Sequence, residues 1–138
     1  MWRCSPAAAR PYRALGEPAL HRHKARGAAG CVTDGFVRDI LGIRELDLPV
    51  FHAGIAPLDS KERGQVQAVD VPVIVDGVKV HSGDLVFGDA DGVVVVPQAV
   101  EAQVLKFAFD KINGEHHSIN ELRAGGYLRD VYAKYGVL

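Results

Sequence analysis

Cysteine is scarce: only Cys4 and Cys31 carry a thiol in 138 residues, and they form no C-x-x-C pair. This excludes a disulfide framework, argues against a zinc site and fits a reducing, cytoplasmic setting. Long apolar runs are absent as well. No stretch approaches the length of a membrane-spanning helix, and the first residues lack the continuous apolar core of a secretory signal. Nor is there an excess of one charge: the net charge of −1 leaves no footprint for nucleic acid. Phosphate-binding signatures are missing, since Gly27-Ala28-Ala29-Gly30 is too short for a dinucleotide fingerprint and lacks its third glycine. Ser82 does not sit in a G-x-S-x-G frame, so it is no nucleophile elbow. His21-x-His23 and His116-His117 lack both cysteine partners and i, i+4 spacing, and are expected on the surface. His52 and His81 stand alone and read as structural or solvent-facing.

What is present suits one soluble α/β domain with a real core: 48% hydrophobic and 24% charged residues. Residues 1–26 are Arg-rich with a single acid, Glu17, and read as an atypical leader, either a transit peptide or a disordered segment. From residue 27 the pattern becomes compact. Strands are expected at 27–33 and 48–53, with a short turn or helix at 36–41 that faces Val37, Ile40 and Leu41 inward. Residues 54–63 read as a loop. Val69, Val71, Val73 and Val75 alternate, and Asp76-Gly77 predicts a hairpin back through Val78-Lys79-Val80. Ser82-Gly83-Asp84 makes the next turn. Asp89-Ala90-Asp91-Gly92 opens like a calcium loop, but Val93 follows in place of further acidic ligands, so a hairpin turn is expected. The run Val93–Val96 predicts a buried central strand. Pro97 marks a helix start, with Val100, Val104, Leu105, Ala108 and Ile112 at helical spacing and Asn113-Gly114 as its end. A short helix capped by Ser118, a Gly125-Gly126 break and a last amphipathic helix through Leu128, Val131, Tyr132 and Tyr135 complete the reading.

The residues with most chemical content are Arg38-Asp39, just past the Asp34-Gly35 turn. A carboxylate suits a hard cation such as Mg²⁺ or Mn²⁺. A guanidinium can hold a carboxylate or polarise a ketone oxygen. Taken alone, the dipeptide reads first as a surface ion pair. Upstream, Gly16-Glu17-Pro18-Ala19 is a candidate helix start whose backbone N–H groups could face an anion.

Residues 27–39, followed by Pro49-Val50-Phe51, resemble the core of RraA-like proteins, and so does the stretch from Val80 to Pro97. The paired signals, D-G-x-x-R-D and G-D-x-x-x-x-D-x-D-G-V-V-V-x-P, are specific for the family but not for a substrate. The family includes 4-hydroxy-4-methyl-2-oxoglutarate and 4-carboxy-4-hydroxy-2-oxoadipate aldolases, and members named regulators of ribonuclease activity. The resemblance implies a swivelling β/β/α domain over residues 27–138, N-terminally short for the family, with a valine-rich central sheet and C-terminal helices. It implies homotrimers or hexamers with sites at subunit interfaces, acting on a small 2-oxo acid. It places a divalent metal, Mg²⁺ or Mn²⁺, on Asp39 and the pyruvyl part of the substrate on Arg38. It places the substrate carboxylate on the N–H groups of Gly16, Glu17, Pro18 and Ala19, with Glu17 reaching a metal-bound water. Pro18 departs from the pattern because it has no N–H. The activity implied is metal-dependent aldol cleavage to pyruvate, with oxaloacetate decarboxylation at the same site. The alternatives are a protein-binding regulator of a ribonuclease, or a truncated, inactive member.

Overall fold

The computed structural model describes residues 15–61 and 65–136. The expected leader is therefore described only from Leu15 on; its first fourteen positions, and the end of the loop expected at 54–63, lie outside the described residues. Two compact units divide at Pro97.

The first unit begins with a parallel bridge between Leu15 and Val37, which leads into helix α1, Glu17–Ala25. Strands β1, Cys31–Val32, and β2, Phe36–Val37, follow, then helix α2, Ile40–Glu45, and strands β3, Val50–Phe51, and β4, Gly54–Ile55. Strand β1 pairs in parallel with β3, and β2 with β4. In the gap between the pairs, Thr33 N–H donates to Phe51 O at 2.9 Å and Ala53 N–H to Gly35 O at 3.0 Å. Parallel neighbours need a crossover, and α2 supplies it. Leu20, Cys31, Val37, Ile43, Leu46 and Leu48 form the buried cluster, with Leu15, Ile40 and Val50 packed against it. Helix α1 contributes Leu20 to that cluster, with no accessible surface left.

Several expectations are corrected here. The first two strands are only dipeptides, because the Asp34-Gly35 turn and His52-Ala53 interrupt a ladder that the apolar runs suggested was continuous. The expected loop after Ala53 opens with β4, which pairs with β2. Val37 is buried and Ile40 partly so, but Leu41 is exposed, since α2 begins at Ile40 and its turn swings residue 41 outward.

Strands β5, Val73–Val75, and β6, Val78–Val80, form the hairpin expected at Asp76-Gly77. Both turn residues have positive φ, 46° and 81°, the geometry in which turn twist matches strand twist. Val66, Val69 and Val71 are exposed and outside any strand, so the alternation there reports no pairing. Strands β7, Leu85–Gly88, and β8, Val93–Val96, form a second antiparallel hairpin. Asp89 closes its turn by accepting the Asp91 N–H at 2.8 Å, as an Asx turn does. Val93–Val96 is thus a hairpin strand and not a buried central one: Val94 is 57% exposed, and among the described residues β7 is its one partner.

In the second unit a single turn, Gln98–Val100, precedes helix α3, Glu101–Arg123. Asn113-Gly114 does not end that helix and Ser118 does not cap a new one. Ser118 is buried mid-helix with its hydroxyl donating back to Gly114 O at 3.3 Å. One glycine costs about 1 kcal/mol in a helix, which a long cooperative helix absorbs. The true end is at Gly125-Gly126, as expected. Gly125 adopts φ 94°, its N–H donates to Leu122 O and that of Gly126 to Glu121 O, both at 3.0 Å. That is a Schellman closure. Helix α4, Leu128–Tyr135, then packs on α3 through Val131, which is fully buried. No helix among the described residues is long and apolar enough to cross a membrane.

Candidate functional site

Three parallel segments end side by side. Leu15 N–H donates to Phe36 O and Arg38 N–H to Leu15 O, each at 3.0 Å, so the entry to α1 runs along β2. On the other side, Ala56 N–H donates to Val37 O at 2.9 Å, holding the exit of β4 beside β2. The carboxyl ends of parallel strands are where ligands bind in α/β sheets. Here they deliver Gly16-Glu17, Arg38-Asp39 and, two residues beyond Pro57, Asp59.

Asp39 is the N-cap of α2 but adopts a left-handed conformation, φ 63° and ψ 40°, and makes no side-chain cap. Aspartate tolerates this region better than most residues, and Asp47, Asp70 and Asp76 adopt it as well. The Asp39 carboxylate turns instead toward the site: Oδ2 lies 3.3 Å from Arg38 Nη1 and accepts the Glu17 N–H at 3.4 Å. Arg38 Nη2 stands 4.0 Å from Asp59 Oδ1. Its Nε is buried and has no hydrogen-bond partner among the described residues, which leaves it able to donate to a ligand. Gly16 makes this placement possible, because a Cβ there would sit 3.0 Å from the guanidinium carbon and two of its nitrogens.

The helix start at Gly16 forms as expected, with Gly16 as N-cap and proline in the first turn. Its donors are partly committed. Glu17 N–H points at Asp39, Pro18 has none, and Ala19 N–H turns back to Gly16 O at 3.2 Å. The Glu17 carboxylate lies over Gly42 of α2 and pairs with His21, Oε1 to Nε2, at 3.0 Å.

Three residues near this site were not singled out from the sequence. His21 was read with His23 as a surface pair; its i, i+4 spacing from Glu17 was the available signal. Gly42 and Asp59 carried none, since their roles depend on which strands are neighbours.

Among the described residues no group of three or more His, Cys, Asp or Glu could hold a metal. This donor set does not fit zinc, which takes several protein ligands. A lone carboxylate is a donor that Mg²⁺, which keeps most of its waters, can use. Asp39 would hold it.

A family model described as RraA-like, Aldolase/RraA, matches residues 6–95. A Halalkalibacterium halodurans protein provisionally named 4-hydroxy-4-methyl-2-oxoglutarate aldolase is 41% identical over 96 residues, covering 70% of this chain and 45% of that protein. An uncharacterized protein from Pseudomonas syringae pv. tomato superposes with a TM-score of 0.83 at 33% identity, over 88% of this chain and 62% of that one. Streptomyces coelicolor RraAS2, described as an unusual member of the RNase ES inhibitor RraA family, gives 0.73 at 33% identity, over 86% and 61%. The chain spans about half the length of the curated relatives it matches. The matched region takes in the strand end that carries Arg38 and Asp39, the first hairpin and nearly all of the second, and on that ground the chain belongs to the RraA-like family.

Proposed function

We propose that this chain is a lyase of the aldolase branch: it cleaves 4-hydroxy-4-methyl-2-oxoglutarate-type acids to pyruvate and decarboxylates oxaloacetate at the same site. The observation that carries this reading is the buried Nε of Arg38, without a partner among the described residues, beside the non-capping Asp39 carboxylate at the carboxyl end of β2. Arg38 donates to the pyruvyl ketone oxygen, where negative charge develops as the C–C bond breaks. The Gly16–Ala19 start lines the carboxylate side with a reduced donor set, since the Glu17 N–H is directed at Asp39 and Pro18 has none. Glu17 takes the C4-hydroxyl proton through water, the C3–C4 electrons pass into the pyruvyl enolate, and the second carbonyl product leaves. A divalent ion, Mg²⁺ or Mn²⁺ on Asp39, supplies Lewis-acid polarisation of the 2-oxo acid when bound. The assembly implied by the family resemblance, a homotrimer or hexamer, places this site at a subunit interface.

The test is pyruvate release from both acids with Mg²⁺ and with EDTA. Asp39→Ala and Arg38→Ala should each lower kcat by roughly 10²–10³-fold, the usual loss for one charge-stabilising group. EDTA-insensitive turnover, or full activity in Asp39→Ala, contradicts the proposal.

A second reading follows from the structural neighbour described as belonging to an RNase-inhibitor family: the chain docks on a ribonuclease and catalysis is incidental. Inhibition of a ribonuclease that persists in Asp39→Ala would favour it.

A further inference from the structure

Resting on the aldolase reading above, we infer that His21 and Gly42 form a seat for the Glu17 carboxylate, so that His21 is a positioning residue for proton transfer in aldol cleavage. Nε2 of His21 stands 3.0 Å from Glu17 Oε1, one helical turn away on α1. From the facing helix, a Cβ on Gly42 would lie 2.2 Å from Glu17 Oε2 and 2.3 Å from its carboxyl carbon. The carboxylate therefore occupies the space that any side chain at position 42 would take. The Glu17 backbone is tied independently by its N–H to Asp39 Oδ2. Backbone and side chain of one residue are thus held by three different groups: Asp39, Gly42 and His21. A glutamate at a helix start with only solvent around it samples several rotamers, and a proton-transfer group loses rate steeply when it wanders. Two contacts from different helices restrict that freedom.

The seat makes the two reactions separable. Aldol cleavage needs a group to take the hydroxyl proton; loss of CO₂ from oxaloacetate does not. His21→Ala should lower kcat for aldol cleavage on the order of tenfold, with KM and oxaloacetate decarboxylation within about twofold. His21→Gln, whose amide can still donate to Glu17, should recover most of the loss. Gly42→Ala should act in the same direction while leaving the melting temperature unchanged or raising it, because alanine favours the helix. His23→Ala, on the same helix, serves as the control and should change neither reaction. In the Glu17→Gln background His21→Ala should add nothing. A readout on the metal-free chain separates the seat from the chemistry: the His21 imidazole Hε1 resonance should move in both Glu17→Gln and Gly42→Ala. A stationary resonance, or equal loss in both reactions, overturns the inference. A moving resonance in a protein inactive on both acids upholds the seat and removes the aldolase reading instead.

Discussion

Arg38 and Asp39 were legible as a pair from the sequence, but their environment was not. A guanidinium beside a carboxylate is an ordinary surface motif. It becomes a site because Gly16 lets Arg38 lie against the backbone, 3.0 Å from where a Cβ would be, and because Asp39 leaves its helix uncapped. Gly16→Ala should therefore shift the guanidinium and raise KM for oxaloacetate several-fold with little change in circular dichroism; an unchanged KM would show that the contact has no consequence for binding. Leu20 illustrates the opposite case. It falls in an Arg- and His-rich stretch that reads as leader, yet it is fully buried against Val37 and Ile43 in the core cluster. Leu20→Ala should cost about 2–5 kcal/mol, the range for emptying a core leucine site, measurable by urea unfolding. A loss near zero would mean that α1 does not dock in solution.

Elements whose ends are set by local backbone chemistry were readable. The Asp76-Gly77 hairpin and the Gly125-Gly126 helix end both depend on positive φ that glycine supplies. Elements whose ends are set by partners were not, as the broken ladder at Asp34 to Ala53 and the uninterrupted α3 show. The α3–α4 pair adds a contact that no pattern announced: Lys134 Nζ donates to Glu121 Oε2 at 2.8 Å, and the Lys134 ammonium lies 4.8 Å above the Tyr135 ring. Hydrogen bonding to Lys134 and then to Tyr135 holds the Glu121 carboxyl below its ordinary 4.5. The bond to Glu121 holds Lys134 above its ordinary 10.5. Stabilisation from Glu121 is thus present above its unfolded value and lost as pH falls through the lower folded one. That from Lys134 is present below its unfolded value and lost as pH rises through the higher folded one. Both groups are exposed, so the effect is small. The melting difference between the protein and Lys134→Ala should be visible at neutral pH and close in strong acid; a difference that persists in acid would assign it to packing on Tyr135.

At the scale of the whole chain, much apolar surface stays uncovered in both units. Ile74, Phe87 and Val94 are more than half exposed in the first, as are Phe107, Phe109 and Tyr127 in the second. Exposed apolar area of this kind marks surfaces that associate. In keeping with the proposed trimer or hexamer, sedimentation should give a multiple of the 14.9 kDa chain mass, and Phe107→Glu or Phe87→Glu should reduce it. A monomer at high concentration would contradict the assembly and, with it, a site at a subunit interface.

The sequence by itself determined the α/β class, the hairpin turns, the helix break at Gly125-Gly126 and, through the paired motifs, the family. Each follows from a local requirement: a backbone angle, a residue period, or a side-chain type in a fixed frame. The tertiary structure decided which strand ends lie together. Only the parallel alignment of Leu15, β2 and β4 brings Glu17, Asp39, Arg38 and Asp59 to one edge. Only the packing of α1 on α2 sets Glu17 over Gly42. Parallel pairing joins residues distant in sequence through a crossover, and no short-range pattern encodes that neighbour relation.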